Sequence, residues 1–166
     1  MSAVLEPLRW WDLAAVVELE RELFGATAWS PEAFWSELAH PDTRWYVVAR
    51  TASGGELLGY AGLMVTGAEA DVQTVAVAPS AQGRGVGRLL LDTLVDRAAA
   101  CGATSLLLEV RADNGPAISL YERSGFERIS VRPRYYQPGD VDALVMRLRP
   151  PARRPAAGPP VVGSPT

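Results

Sequence analysis

The sequence predicts one mixed α/β domain, with helices on both faces of a single sheet. Its 166 residues suit one domain, and its 48% apolar and 21% charged residues are ordinary for a globular protein. Strand patterns dominate the first half around two helical stretches, and strands alternate with helices in the second half. A meander of strands followed by strand, loop, helix, strand, helix and two strands is typical of an α/β sandwich.

The first half of the chain has clear start and stop signals. Gly25 ends an amphipathic helical stretch, and Ser30 followed by Pro31 supplies an N-cap and a proline at the first helical position. Residues 53–55 (SGG) are a typical hairpin turn between two strand patterns. These signals predict strands over residues 4–9, 44–50 and 56–66, and helices over residues 11–24 and 31–39.

The second half begins with a strand of β-branched residues from Val72, which Pro79 ends because proline has no N–H for a ladder. A helix follows a glycine-rich loop, and its apolar stripe predicts a core face formed by Val86, Leu90, Leu94, Ala98 and Cys101. Gly102 ends this helix, and we expect Cys101 to be a small core residue. The remaining patterns predict strands over residues 104–110, 126–132 and 141–148, and a helix over residues 116–124.

The last residues differ in composition from the rest of the chain. Residues 150–166 are rich in proline, alanine and glycine and have no period, which predicts a disordered tail after a domain of residues 1–149. No apolar run approaches the ~18 residues needed to span a bilayer, and the N-terminus shows no signal-peptide pattern. A single cysteine fits a reducing compartment. We therefore expect a cytoplasmic monomer that does not bind membranes.

Charge is unevenly distributed along the chain. Residues 1–78 hold four arginines against eleven acidic residues, whereas residues 79–166 hold twelve against eight, for a formal net charge of −3. The basic half can hold an anion, and the acidic half can attract a cationic partner. The total is too small for nucleic-acid binding by charge alone. The single histidine, His40, lies in a polar loop; we assign it no catalytic role and expect no metal site.

A glycine-rich loop at residues 83–88 (GRGVGR) joins the strand from Val72 to the following helix. The first four amides of a helix lack internal partners and the helix dipole is positive there, so this arrangement suits a phosphate or pyrophosphate. Arg84 and Arg88 add positive charge. The glycine spacing does not match a dinucleotide site, and the absence of lysine excludes a P-loop. An ordinary tight loop before an amphipathic helix remains the alternative.

One acidic residue, Glu109, lies within the apolar strand pattern LLLEVR. By alternation it shares a face with Leu107 and Arg111, opposite three apolar side chains. A carboxylate on a central strand is costly unless it is paired or hydrated. Glu109 is therefore either a salt-bridge partner of Arg111 or a general base at the mouth of a cleft, at the edge of the sheet where the glycine-rich loop also lies.

Two stretches of the sequence resemble a known family. The segment Q-x-x-G-x-G, after a strand that ends in V-A-P, resembles the pyrophosphate loop of the GNAT superfamily of acetyl-CoA-dependent N-acetyltransferases. The run LEVRADNGPAISLYERSGF is similar to the pattern L-E-V-R-x-S-N-x-x-A-I-x-L-Y-x-x-x-G-F of the bacterial ribosomal-protein-alanine N-acetyltransferases of the RimI type, with Asp113 in place of the serine. The resemblance covers residues 4–148. It implies a mixed, mostly antiparallel sheet that is splayed between its central parallel strands.

The resemblance also implies roles for individual positions. Glu109 matches the family's general base and Tyr121 its general acid. Tyr135 and Tyr136 fall where the acceptor-peptide loop of the family lies, and Arg134 replaces an asparagine there, which bears on peptide preference. The positions that match contacts to acetyl-CoA are Val75, Ala76, Val77, Gly83, Arg84, Gly85, Val86, Gly87, Arg88 and Asn114.

The function that this resemblance implies is transfer of an acetyl group from acetyl-CoA, a co-substrate, to the N-terminal alanine of a ribosomal protein, the small-subunit protein eighteen. The expected partner is a protein N-terminus rather than nucleic acid. Two alternatives stay open. One is a GNAT acetyltransferase with broad protein N-terminal, lysine or small-amine specificity, and the other is a non-catalytic acyl-CoA-binding module.

Overall fold

The computed structural model describes residues 2–53 and 55–150, so the tail predicted from residue 150 lies almost wholly outside the described residues. Every helix and strand predicted from the sequence is present. The helices are α1 (Leu13–Phe24), α2 (Pro31–Leu38), α3 (Val86–Ala100) and α4 (Gly115–Arg123). The strands are β1 (Ala3–Pro7), β2 (Arg44–Thr51), β3 (Leu57–Thr66), β4 (Glu69–Val77), β5 (Ser105–Arg111), β6 (Glu127–Tyr136) and β7 (Val141–Leu148).

The seven strands form one sheet in the order β1-β2-β3-β4-β5-β7-β6. Neighbouring strands are antiparallel except for β4 and β5, which are parallel. The central strand β3 is buried at every residue from Leu58 to Leu63, so both of its faces are covered. A Cβ on Gly59 would lie 3.1 Å from Leu90 of α3, whereas the hydroxyl of the next residue, Tyr60, bonds to Glu20 of α1, so the two helices lie on opposite faces of the sheet. The predicted mixed α/β fold with a mostly antiparallel sheet is confirmed.

The parallel pair at the centre of the sheet separates along its length. β4 pairs with β5 over three positions, ending at Asp71 and Leu107, whereas it stays paired with β3 as far as Val77. A bulge at Gln73, opposite the Gly62–Leu63 peptide, increases the local twist. Beyond Asp71 the edge of β4 that faces β5 therefore lies open, which is the splay that the resemblance implies.

Helix α3 packs on the sheet through the predicted stripe. Val86, Leu90, Leu94 and Ala98 are all at most 4% exposed. The prediction that Cys101 is a core residue is wrong, because it follows the last helical residue and is exposed. The chain turns there at Gly102, whose φ of +84° favours glycine. No described helix is long and apolar enough to cross a bilayer.

Several element boundaries differ from those predicted, and two of the differences have a visible cause. Helix α1 begins at Leu13 rather than at residue 11, because a 3₁₀ turn over Trp10–Asp12 precedes it. The carboxylate of Asp12 accepts a hydrogen bond of 2.8 Å from the Arg9 N–H and so stabilises this turn. Strand β6 runs to Tyr136 rather than to residue 132, since Tyr136 still pairs with Val141 of β7.

A buried polar cluster ties α1 to the sheet. Glu20, which is 2% exposed, accepts hydrogen bonds from the Trp29 N–H (3.0 Å) and from the hydroxyl of Tyr60 on β3. Burial raises the pKa of the Glu20 carboxyl, and these two hydrogen bonds offset the increase in part. The Tyr46 hydroxyl on β2 is also buried but has no hydrogen-bond partner among the described residues. Gly62 makes room for the Tyr46 ring, since a Cβ on Gly62 would overlap three ring atoms.

Candidate active site

A cavity of about 750 Å³ lies at the carboxyl end of β4, between the glycine-rich loop, α4 and the end of α1. Most of the site residues predicted from the sequence line it: Val75, Ala76, Val77, Gly83, Gly85, Gly87, Arg88, Asn114 and Tyr121. The predicted residues that do not line it are Arg84, Val86, Glu109, Tyr135 and Tyr136. Val86 is 4% exposed and belongs to the core stripe of α3.

The glycine-rich loop has the backbone geometry that an anion site needs. Gly83 and Gly85 have φ values of +75° and +83°, and a Cβ on either would meet open space, so glycine is required here by conformation rather than by room. Gly85 is the N-cap of α3, and the N–H groups of the first helical turn lack helical partners. Gly87 instead lets α3 pack closely against α4, since a Cβ added at this position would lie 3.3 Å from Leu120 of α4. The loop therefore presents backbone donors and the positive end of a helix dipole to the cavity.

Two arginines and a glutamine complete the polar wall. Arg88 forms an exposed ion pair of 3.0 Å with Asp92, one turn further along α3. Gln82 donates a hydrogen bond of 3.2 Å to the Val77 carbonyl and thereby ties the loop to the end of β4. Arg123, in the last turn of α4, also lines the cavity. Sequence analysis missed Arg123 because it occupies an unspecified position of the L-Y-x-x-x-G-F pattern.

Tyr121 lies on α4, with its ring buried against the cavity and 7% exposed. The helix starts at the cap residue Asn114, whose side-chain oxygen accepts a hydrogen bond of 3.2 Å from the Ala117 N–H. Burial, with a smaller effect of Tyr136, raises the pKa of the Tyr121 phenol to about 12. At neutral pH the hydroxyl is therefore protonated and can act as a donor in the cavity.

Glu109 lies on β5 and is exposed, whereas its two neighbours along the strand are buried, as the predicted alternation requires. Its Oε1 lies 2.5 Å from Nη1 of Arg132 on β6. The alternative in which Glu109 pairs with Arg111 is wrong, because Arg111 forms hydrogen bonds of 3.0 and 3.1 Å with Asp113. Glu109 is thus a paired but solvent-accessible carboxylate outside the larger cavity.

Tyr135 and Tyr136 are the last two residues of β6 rather than loop residues. Their rings meet edge to face, with centroids 5.1 Å apart. The Arg111 guanidinium lies 5.5 Å from the centroid of the Tyr136 ring. Burial, followed by the negative charge of Glu109, raises the pKa of the Tyr136 phenol to about 12. The structure therefore brings both tyrosines and Glu109 together at the end of the sheet.

A smaller cavity of about 490 Å³ adjoins the larger one, with which it shares Leu23, Phe24 and Asn114. Its remaining lining residues are Ala26, Thr27, Arg111, Asp113 and Pro138. Part of its wall is thus the segment after α1, which the hydrogen bond between Glu20 and the Trp29 N–H holds in place. The two cavities are thus neighbours, with the glycine-rich loop lining the larger one and Arg111 and Asp113, at the end of β5, lining the smaller one. Within the described ranges, no group of three or more His, Cys, Asp or Glu side chains is placed to hold a metal ion.

Comparison with known proteins identifies the family. Residues 13–126 match the Acetyltransferase (GNAT) family. N-alpha-acetyltransferase RimI of Mycobacterium tuberculosis is 45% identical over 141 residues, which are 82% of this chain and 85% of that protein. The crystal structure of the ribosomal-protein-S18-alanine N-acetyltransferase from Escherichia coli has a TM-score of 0.80 and 30% identity, with 93% of this chain and 97% of that chain covered. Arabidopsis thaliana NAA60 in complex with acetyl-CoA shares the fold, with a TM-score of 0.78, 18% identity, and 89% and 98% of the two chains covered. The splayed sheet, the glycine-rich loop and these similarities agree, and the chain belongs to the GNAT family of acetyltransferases.

Proposed function

We propose that the protein transfers the acetyl group of acetyl-CoA to the N-terminal alanine of a ribosomal protein, the small-subunit protein bS18. The observation that carries this proposal is the 45% identity, over 82% of the chain, to a protein named N-alpha-acetyltransferase RimI. The structural similarity to the E. coli enzyme named for S18 alanine supports the same acceptor. We also propose that this reaction takes place in the cytoplasm, where new ribosomal proteins are found.

The larger cavity suits acetyl-CoA. In our proposal the diphosphate binds the N–H groups of the loop from Gly83 to Arg88. The open space beside Gly83 and Gly85, the two glycines with positive φ, lets an anion approach the backbone. Arg84 and Arg123 add positive charge at the rim. The pantetheine arm lies along Val75–Val77, where β5 has separated from β4 and the arm acts as an added strand.

In the proposed reaction the neutral amine attacks the thioester carbonyl directly. The C–N bond forms, the C–S bond breaks, and coenzyme A leaves as its thiolate. Glu109 accepts the proton that the amine loses, through a water molecule, and the Tyr121 hydroxyl protonates the leaving thiolate. A backbone N–H near Val77 polarises the carbonyl as an oxyanion-type contact. The Tyr121 phenol is protonated at neutral pH and therefore has a proton to give.

The chemistry of the acceptor favours an N-terminus. An α-amine has a pKa near 8 and a lysine side chain near 10.4, so making them neutral at pH 7 costs roughly 1 and roughly 4.6 kcal/mol. A single exposed carboxylate such as Glu109 can offset the first cost more readily than the second.

A peptide panel tests the proposed acceptor. The purified full chain is incubated with acetyl-CoA and peptides that begin with alanine, serine or methionine and are otherwise identical. A further peptide is blocked at its N-terminus and carries one internal lysine. We expect mass spectrometry to show acetylation of the alanine peptide first. Acetylation of the lysine peptide alone, or no transfer despite acetyl-CoA binding, would replace this function with one of the two alternatives.

Two variants test the proposed roles. Glu109→Gln and Tyr121→Phe should each lower kcat by ~10²–10⁴ while calorimetry shows that acetyl-CoA binding is retained. The matched controls are Glu127→Gln, another exposed glutamate on a strand, and Tyr46→Phe, a buried tyrosine that does not line either cavity. A normal kcat in either site variant would remove that residue from the mechanism, and lost acetyl-CoA binding would make it a structural residue.

A further inference from the structure

Arg132 is the cation in contact with Glu109. Nη1 of Arg132 lies 2.5 Å from Oε1 of Glu109, and the ion pair crosses β7. Val145 of β7 pairs with Glu109 on one side and with Ser130 on the other, so Arg132, two residues after Ser130, lies on the same face as Glu109. The guanidinium also lies 4.9 Å from the centroid of the Tyr135 ring. Arg132 is therefore held between a carboxylate and an aromatic face.

Arg147 of β7 is opposite Leu107 and so lies on the same face as Glu109, but the two form no ion pair among the described residues. The other charged and titratable groups around Glu109 are acidic, phenolic or already paired. Arg111, on the same strand, is paired with Asp113. On β4, burial raises the pKa of the Asp71 carboxyl, with smaller effects of Glu69 and Glu109. On β6, a hydrogen-bonding contact with Glu109 raises the pKa of the Tyr135 phenol, and burial raises that of Tyr136. The positive charge that offsets Glu109 thus comes from Arg132.

We propose that Arg132 is a positioning residue that makes the acceptor site select a neutral α-amine over a protonated lysine side chain. This inference rests on the proposed function, in which Glu109 is the base. Because Arg132 offsets the charge of Glu109, the carboxylate attracts an ammonium group weakly, and the guanidinium itself repels a second cation. Arg132 contacts Oε1, and Tyr135 also has a hydrogen-bonding contact with the carboxylate. An ionised carboxylate has about four acceptor sites, so these two contacts leave room for a hydrogen bond from a neutral amine or from the water between them.

The ionisation of the two acceptors turns this arrangement into selectivity. At pH 7 about one α-amine in ten is neutral, against about one lysine side chain in 2,500. If the site binds only the neutral amine, kcat/KM is proportional to the neutral fraction, and the α-amine is favoured by the ratio of the two fractions. A site with an uncompensated carboxylate would instead bind the ammonium and remove its proton afterwards. Since the Arg132 side chain is 53% exposed, water and salt screen its charge. We therefore expect removal of Arg132 to reduce the preference for the α-amine over the lysine side chain by about tenfold, rather than to abolish it.

The test compares the unchanged protein with Arg132→Gln and Arg132→Lys. One peptide has a free N-terminal alanine and no lysine, and the other is N-acetylated and carries one lysine. For both peptides kcat/KM is measured from about pH 6.5 to about pH 9, which brackets the α-amine. Arg132→Gln should lower the alanine-to-lysine ratio by about tenfold and flatten the rise of lysine acetylation with pH. Arg132→Lys keeps the cation and should restore the ratio to within about threefold.

Arg128→Gln is the matched control. Arg128 lies on the same strand and is similarly exposed, but it pairs with Glu122 at 2.6 Å, so its loss should leave the ratio unchanged. An unchanged ratio in Arg132→Gln, or equal loss in the Gln and Lys variants, overturns the inference and leaves the proposed function standing. Loss of cooperative unfolding in Arg132→Gln would make Arg132 a structural residue and overturn it as well. If the unchanged protein acetylates no alanine peptide, the proposed function and this inference fall together.

Discussion

Replacing Tyr60 by phenylalanine tests the buried hydrogen bond that ties α1 to the sheet. The change removes one hydroxyl from a side chain that is 0% exposed and leaves the Glu20 carboxylate with the Trp29 N–H as its remaining donor among the described residues. A hydrogen bond to a charged group contributes about 1.5–3 kcal/mol to the free energy of unfolding. Because Glu20 is only 2% exposed, water cannot replace the lost bond. We expect the free energy of unfolding to fall by about 2 kcal/mol, and Tm by about 4–8 °C for a domain of this size.

Tyr46→Phe is the matched control for this change. Tyr46 is also a buried tyrosine in the sheet, but its hydroxyl has no partner in the part of the chain that the structure describes. Removing it should leave the free energy of unfolding unchanged or raise it, since a buried hydroxyl without a partner is itself destabilising. Urea denaturation followed by tryptophan fluorescence measures both midpoints, and equal m-values show that the unfolding reactions are comparable.

The same variant connects stability to the site. The Trp29 N–H anchors the segment that contributes Ala26 and Thr27 to the smaller cavity, so Tyr60→Phe should raise the KM for the acceptor peptide more than that for acetyl-CoA. Equal urea midpoints for Tyr60→Phe and Tyr46→Phe would refute the argument, because the presence or absence of a hydrogen-bond partner would then make no difference.

The titration of Glu20, the close packing at Gly62 and the helix cap at Asn114 can each be tested by substitution. Burial raises the pKa of Glu20 above its ordinary 4.5, so the folded state binds this proton more tightly than the unfolded chain does. The contribution of Glu20 to the free energy of unfolding therefore falls as pH rises from about 4.5 through the raised pKa. Urea denaturation at several pH values should show this slope, and Glu20→Gln should remove it. Gly62→Ala should lower the free energy of unfolding by about 2–3 kcal/mol in the same assay, because its Cβ overlaps the Tyr46 ring. Asn114→Ala should lower the free energy of unfolding by about 1 kcal/mol, because it removes the cap on the Ala117 N–H. Asn114→Asp keeps an oxygen for this N–H and should retain most of that stability, as measured by thermal unfolding.

Each of these predictions has a contradicting result. An identical pH slope with and without the Glu20 carboxyl would show that another group titrates in this range. A normal urea midpoint for Gly62→Ala would mean that the Tyr46 ring moves aside without cost. Equal Tm values for the alanine and aspartate variants of Asn114 would show that the cap does not stabilise α4.

The elements and the glycine-rich loop could be predicted because their signals are local. The alternation around Glu109 requires only neighbouring residues, and the stripe from Val86 to Ala98 requires one helix. The stripe failed at Cys101, where the helix had already ended and the periodic pattern continued by chance into the turn. The apolar period by itself does not show where α3 stops, whereas the glycine after it does.

The ion pair of Glu109 and the hydrogen bond of Glu20 could not be predicted, because they join distant parts of the chain. Arg132 meets Glu109 across an intervening strand that comes later in the sequence, and Glu20 meets Tyr60 from another layer of the fold. No spacing rule relates such positions. The end of β6 was missed for a related reason, since pairing with β7 extends it past residue 132.

Arg134 shows how the structure explains a sequence difference. Its φ of +54° lies in the left-handed region, and its N–H donates a hydrogen bond of 2.9 Å to Asp142. Asparagine tolerates this conformation better than most residues, which accounts for the asparagine that the resembling family has here. Arginine at this position keeps the backbone geometry through its hydrogen bond to Asp142 and places a longer, charged side chain next to Tyr135.

Under the proposed function, the gap between β4 and β5 would link this protein's lifetime to the supply of acetyl-CoA. Past Asp71, the amides on the open edge of β4 rely on water for hydrogen bonds until a ligand lies beside them. A pantetheine arm that forms hydrogen bonds with these amides would fill the gap between the two strands. Its binding would add RT ln(1 + [L]/Kd) to the free energy of unfolding. In a cell rich in acetyl-CoA or free coenzyme A the chain would resist proteases longer than in a starved one, so its abundance would follow the metabolic state before any change in its synthesis.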